Sequence, residues 1–475
     1  MLVAWTSCTP PGYDVARLLL QRGVALVHVL AFASVLYEWR PLLGERGLTP
    51  VPLFTDRVPW RLTPSIFHWR YSDRLATGLA WLGLALSLSL LVGLAEVAPT
   101  PVVTAVWLVL FGLYLSYVNV GQVWYGFGWE SLLLEAGVLV ALFGAADVAV
   151  SWPALLLVRW LLFRIEVGAG LIKLRGDPCW RDLTCLDYHH ETQPLPGPLS
   201  RRAHNLPTWF HRLETGANHV VQLVVPFGLF LPQPIAGVAG VLIIATQGWL
   251  MLTGNFAWLN LLTIVLALSV LPDAWFDDVA PGLVEGPAGL PLWWLVPVLL
   301  VTAWFGWASR VPAQNLLSRS QRMNARHNPL HLAGSYGAFG SVTKERFELV
   351  VEGSDDGGAT WQAYEFRAKP QDPARRPPQV APFHLRTDWL LWFAAMTPRP
   401  GPRDGWMQVL VDRLIDGDPL VRRLLRHDPF DGAAPDAVRV RRDRYRFTDR
   451  ATRRATGQVW EVEPAGTWLP VQRRG

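Results

Sequence analysis

Apolar positions fall in blocks of about twenty residues up to residue 308 and thin out sharply beyond it. A helix rises about 1.5 Å per residue, so twenty residues cross a hydrocarbon core of roughly 30 Å. The pattern predicts spans at 18–37, 75–95, 102–120, 131–149, 153–172, 219–231, 235–253, 255–271 and 291–308. The sixth is short and holds Pro226, which makes it a full span or a re-entrant segment and the count eight or nine. Trp39, Trp124, Tyr125, Trp152, Trp249 and Trp258 sit near span ends, as interfacial anchors do. The first apolar run lacks a basic n-region and a small-residue cleavage site, so it reads as a transmembrane helix, not a signal peptide.

Beyond 308 the pattern changes to that of a folded polar domain. Phe347–Glu352 and Trp361–Arg367 are β-like runs around a Ser354-Asp-Asp-Gly-Gly loop, the signature of a hairpin. Trp389–Met396 reads as a helix, followed by amphipathic helices with apolar faces at Trp406, Val409, Leu410 and Leu414, then at Val421, Leu424 and Leu425. Asp418-Pro419 is an N-cap and first-turn pair for the last of these. Val438–Phe447 alternates with Arg like an exposed strand. The expected fold class is a polytopic α-helical membrane protein of 8–9 spans followed by a soluble α+β C-terminal domain. The expected division is a membrane domain at 1–308 with polar loops 38–74 and 173–218, a linker at 309–325 and the soluble domain at 326–475. That domain is expected beside the membrane part, not within it.

Composition sharpens the picture in three ways. The 475 residues are 51% hydrophobic with 25 Trp, and mean hydropathy is positive. A net charge of +5 comes with no basic, base-reading face, which argues against nucleic acid. Three lysines against forty arginines suggest a GC-rich, bacterial genome and hence a plasma membrane. With nine spans, 38–74, 173–218 and 309–475 share one face. The first two carry six basic residues each and residues 1–15 none, so the positive-inside rule puts that face in the cytoplasm. The cysteines are Cys8, Cys179 and Cys185. The last pair, six apart in one polar loop, is either a local disulfide on an oxidising face or two free thiols.

Ionisable groups inside spans cost roughly 2.5–3.5 kcal/mol each at a helix centre, so each needs a partner or a role. Arg159, Glu166 and Lys173 are spaced by seven and share a helix stripe with Arg164 close by. Glu130 and Glu135 in the fourth span are the expected counter-charges. This cluster is either a set of buried ion pairs tying helices together or the lining of a functional cavity. The following loop packs Asp177, Asp182, Asp187, His189, His190 and Glu191 into fifteen residues. No HxxxH or HExxH pattern is present and adjacent histidines on a strand diverge, so a recognition loop is favoured over a metal site. No GxSxG, Walker or Rossmann pattern occurs, which argues against a lipase activity of the chain's own. No cofactor is expected.

The run from Trp160-Leu-Leu-Phe-Arg164 through Lys173-Leu-Arg-Gly-Asp-Pro-Cys-Trp180, then Tyr188-His-His-Glu-Thr-Gln-Pro, resembles the lipase maturation factor family. Gly128-Trp-Glu-Ser-Leu-Leu-Leu-Glu135, Phe210-His-Arg-Leu-Glu-Thr215 with Asn218-His219, Gly254-Asn-Phe-Ala-Trp-Leu-Asn260, Tyr336-Gly-Ala-Phe-Gly and Asp388-Trp-Leu-Leu-Trp-Phe fall in the same order as in that family. The resemblance implies a membrane protein that helps secreted lipases reach an active fold, residing in the endoplasmic reticulum membrane in animals. It implies a large polar face directed to the lumen, equivalent to the outside of a bacterium, against the charge rule. Gln222 stands where the resemblance implies an acidic residue. Ala169-Gly-Leu-Ile-Lys-Leu is similar, more faintly, to the catalytic-lysine segment of vitamin K-dependent carboxylases.

Two functions compete. In the first, the chain is a bilayer-anchored maturation factor whose clients are secreted lipase-like proteins. Its recognition loop comprises Asp177, Trp180, Asp182, Tyr188, His189, His190, Glu191, Gln193, His211, Asn218 and His219, with Trp209 and Phe210 as further aromatic contacts. In the second, it is an intramembrane enzyme with Lys173 as base on a lipid- or quinone-like substrate. Against the second stands a structural lysine at the interface.

Overall fold

The computed structural model describes residues 12–276, 287 and 289–474, and Cys8 lies outside these. The helical part runs α1 (Asp14–Leu43), α2 (Asp73–Val92), α3 (Thr100–Val120), α4 (Gly128–Ala141), α5 (Trp152–Arg175), α6 (Leu186–Thr192), α7 (Thr208–Leu223), α8 (Ile235–Thr253), α9 (Leu259–Ala267), α10 (Leu292–Ala308) and α11 (Arg310–Leu317). Among the described residues, five helices are long and apolar enough to cross a membrane: α1, α2, α3, α8, and α10 with its continuation α11. Local chemistry sets several ends. Ser72 accepts from the Leu75 amide to start α2, which stops at Gly93 in a positive-φ conformation. Ser151 caps α5 ahead of Pro153.

The other expected spans are built differently. The run 131–149 yields a helix only over α4, because the chain turns at Gly144 (φ 68°). The run 219–231 is the end of α7 plus a 3-10 turn, Val225–Phe230, around Pro226. The run 255–271 is the short α9 with a 3-10 turn, Leu268–Val270. Helix α5 has the length to cross, at 24 residues, but carries Arg159, Arg164, Glu166 and Lys173. All four are buried, so α5 is sheltered by the helices around it. Lipid-facing surface instead belongs to the outer helices, where Trp81, Leu88, Val238, Val241, Val296 and Leu300 stand exposed.

Two ends of the bundle are distinct. At one, Asp273 accepts from the amides of Asp14 and Val15, Arg17 donates to the carbonyls of Ala145 and Val148, and Asp147 caps Thr100. The other end carries the whole C-terminal region. There a four-stranded antiparallel sheet is formed by β1 (Arg346–Ser354), β2 (Gln362–Ala363), β5 (Ala437–Phe447) and β6 (Trp460–Arg473), in the order β2-β1-β5-β6. A small second sheet pairs β3 (Glu365–Phe366) with β4 (Leu425–His427). Helices α12 (Arg386–Ala395) and α13 (Gly405–Ile415) complete the region. The expected exposed strand at 438–447 is the inner strand β5. Its arginines are matched across the ladder, Arg439 and Arg441 to Glu352 at 2.8 and 3.1 Å, so the polar alternation marks cross-strand pairing. The helix expected at 421–425 is one turn, Pro419–Arg422, capped by Asp418 as its Asp-Pro pair implies, before the chain enters β4.

The C-terminal region is not a separate body beside the bundle. Arg386 enters the helical core, where its guanidinium donates to Glu130 Oε1 at 2.8 Å and to Ser34, and stacks 3.8 Å from the Tyr125 ring centroid. Glu38 accepts from the amides of Arg386 and Thr387 and from the Thr387 hydroxyl. Glu130 is therefore matched by an arginine from the tail, not by α5. Glu135, one of the two expected counter-charges, pairs with Arg164, and it also accepts from the Gly334 amide (3.1 Å) and the Tyr336 hydroxyl (2.7 Å). Asn255 locks to the tail by accepting from the amides of Val380 and Ala381, both at 2.8 Å. His331 bonds Ser131 and Asn119.

Removing one partner of a hydrogen-bonded buried ion pair costs about 3–5 kcal/mol, because the other charge stays buried. Arg386→Ala is therefore expected to lower the thermal midpoint of the detergent-solubilised chain sharply and to expose the tail to protease. A melt followed by size-exclusion chromatography reads the first effect. Acid has a separate effect at this seam. Burial pushes His331 down to about 3, with Arg326 adding to the fall. Burial likewise pushes His384 down to about 4, with Arg386 adding and Glu130 opposing. Both imidazoles are neutral when folded and titrate near 6.5 when unfolded. Their contribution is thus complete above about pH 6.5 and is lost as pH falls towards 4. The thermal midpoint should decline over that window, and less steeply in His331→Asn.

Candidate functional site

Between the bundle and the tail lies a cavity of about 930 Å³, near the upper end of the range for small-molecule pockets. Its walls come from both sides of the seam. Helices α5, α8 and α9 supply Ala169, Leu250 and Leu259; the tail supplies Trp389, Trp392 and Phe393. Trp180, Phe256 and Phe339 close a further side. Phe393 and Met396 line it and are also exposed, so apolar surface continues outward from the cavity.

A line of polar groups crosses this apolar space. Asn260 donates to Gln247 at 2.9 Å, and Gln247 donates to Glu166 Oε1 at 2.8 Å. Glu166 Oε2 is buried without a hydrogen-bond partner. Two turns further along α5, the Lys173 ammonium donates to Asn218 Oδ1 (2.9 Å) and Gln222 Oε1 (2.8 Å) and lies 5.0 Å from the Trp180 ring centroid. The residue that departs from the expected acid, Gln222, is thus a neutral acceptor for Lys173. Two amides and an aromatic face hold the ammonium, which fits a buried structural lysine. Enzyme chemistry at Lys173 has no support beyond the adjoining cavity.

The expected intramembrane cluster is divided. Arg159 points to the far end of the bundle, where it donates to the carbonyls of Leu229 and Ser269 and faces the ring of Tyr13. Arg164 and Glu135 form the ion pair described above, and Glu130 serves Arg386. Glu166 and Lys173 alone line the cavity.

The expected recognition loop is also divided. Trp180, His189 and Asn218 line the cavity. Trp180 is only 3% exposed, so it is a wall and not an outward-facing contact, whereas Trp209 is 65% exposed. Burial pushes His189 down to about 3, with His190 and Lys173 adding, so its ring is neutral at ordinary pH. Asp177 caps the turn that follows α5 by accepting from the Cys179 amide, and Asp182 is exposed. Cys179 and Cys185 are bonded to each other beneath Trp180. Tyr188 is half-buried, and His219 contacts the Trp180 carbonyl at 3.0 Å. Glu191 and Gln193 tie the loop down. Glu191 accepts from the Phe447 amide, and Gln193 donates to the Thr253 carbonyl and to Ser200. His190 and His211 meet at Glu214.

Sequence reasoning missed Gln247, Asn260 and the tail aromatics. Gln247 and Asn260 carried a usable signal, since each is a polar side chain inside an apolar run. The tail aromatics carried none, because their run also reads as the core of a soluble helix.

Residues 15–278 match the family model described as the lipase maturation factor transmembrane domain, and residues 332–470 match the lipase maturation factor C-terminal domain. Human lipase maturation factor 1 is 38% identical over 96% of this chain and 87% of its own length. The mouse protein of that name is also 38% identical, over 96% and 87%. Human lipase maturation factor 2 is 30% identical over 97% of this chain and 83% of its own length. No solved structure matches the chain. Two family models in succession, with relatives aligned along nearly the full length, establish that this multi-pass membrane chain belongs to the lipase maturation factor family.

Proposed function

We propose that the chain is a membrane-anchored maturation factor that helps exported lipases reach their active form, with the cavity at the seam as its working site. Kinship to proteins named for lipase maturation, along nearly the whole chain, carries this reading. The site assignment rests on the cavity's apolar walls and on exposed Phe393 and Met396, which suit an apolar segment of a partly folded client.

The membrane arrangement in this reading has nine crossings, the shorter segments α4, α7 with its turn, and α9 with its turn being completed by neighbouring helices. Its support is that consecutive segments run alternately between the two ends of the bundle. The host membrane is a bacterial plasma membrane, on the arginine bias. The tail faces outward, because the Cys179–Cys185 bond belongs to the same end and disulfides persist in oxidising compartments.

The test uses the source organism with the gene deleted and then restored as wild type, Ala169→Phe or Lys173→Ala, each at equal membrane level. Activity per unit mass of secreted lipase is measured. Deletion should lower it, wild type and Lys173→Ala should restore it, and Ala169→Phe, which fills the cavity, should restore it only in part. No change on deletion would remove lipases as clients. Failure of Lys173→Ala alone would make Lys173 a functional group.

A further inference from the structure

We infer that His190, His211 and Glu214 form a binding site for a zinc-type divalent cation. Helix α6 presents His190. His211 and Glu214 stand three apart on α7 and so share a face. One ligand atom from each residue lies within 4.8 Å of the other two, with Glu214 Oε2 at 3.5 Å from His190 Nε2 and 3.9 Å from His211 Nδ1. Tetrahedral zinc with bonds of about 2.0–2.2 Å sets its ligand atoms roughly 3.3–3.5 Å apart. The three groups are therefore within a small side-chain adjustment of enclosing an ion.

The pairing of their atoms points the same way. His190 Nε2, His211 Nδ1 and Glu214 Oε2 are all buried, and all lack a hydrogen-bond partner. A buried polar atom without a hydrogen bond is destabilising, and here three converge on one point. The opposite sides of two ligands are already fixed. His211 Nε2 faces the His204 carbonyl at 3.3 Å, the contact that would hold its proton there and leave the Nδ1 lone pair free. Glu214 Oε1 accepts from the Trp249 indole at 2.6 Å. Such outer partners orient metal ligands in established sites.

Two imidazoles and one carboxylate suit zinc better than calcium or magnesium, which prefer all-oxygen sets. The ion would tie α6 to α7 and fix Glu214, which also lines the cavity. Water would supply the fourth ligand. The adjacent-histidine argument against metal fails here because His190 sits on a helix and its partners come from the next one.

The test uses tag-free full-length chain in detergent, stripped with chelator and then equilibrated with zinc or cobalt(II). Wild type should retain one ion per chain by elemental analysis, show a tetrahedral cobalt spectrum and gain thermal stability with zinc. His211→Ala should lose the ion, the spectrum and the gain. Trp249→Phe keeps all three ligands and should weaken affinity by roughly 10-fold or more, a readout available even if His211→Ala fails to fold. A wild type that retains no ion, or the same uptake by wild type and Trp249→Phe alike, would overturn the assignment.

Discussion

Glu130 is a fully buried carboxylate in the first turn of α4, where the apolar bundle meets the tail, and its guanidinium partner arrives from 256 residues downstream. A charge in that setting is tolerated only when it is paired and its remaining lone pairs are filled. Arg386 meets the first need, and the Tyr114 hydroxyl helps meet the second. Until α12 docks, the helical part keeps an unmatched charge at its core. The tail's insertion is thus an electrostatic requirement of the membrane helices, and the other seam contacts, at Glu38, Glu135 and Asn255, repeat the logic with backbone amides.

The cavity follows from this arrangement. Arg386 starts the same helix whose later residues, Trp389, Trp392 and Phe393, form one wall, so the ion pair that seats the tail also sets that wall's position. The opposite wall is α5, held by the Arg164–Glu135 pair on the face next to it. Between them lies apolar space crossed by the Glu166–Gln247–Asn260 line. Neither half of the chain encloses that space alone, which is why the working site is assigned to the seam.

The sequence made the helical class, the long spans, the caps and most tail elements legible, because hydrophobic period and capping residues are local signals. Glu135 as a counter-charge to the cations of α5 was legible too, since opposite charges in neighbouring spans have few other partners, but the choice of Arg164 among them was not. The Glu130–Arg386 pair was not. Arg386 sits in a segment that reads as polar surface, and nothing local says that it enters the bundle. The same limit hid the join of His190 to His211 and Glu214, where the path of the chain between α6 and α7 had to be known first. Trp180, expected as an aromatic contact of the loop, stands instead in the cavity wall, because an aromatic in a polar segment fits a contact surface and a buried wall equally well.

The central claim is that client protein is engaged where the tail meets the bundle. It is tested most directly by placing a photo-crosslinking amino acid at Phe393, at the edge of the cavity, or at Leu300, on the lipid-facing side of α10, in cells exporting lipase. The account predicts a lipase adduct from position 393 and none from position 300. Equal adducts from both positions, or none at 393 with the protein present at its normal level, would contradict it.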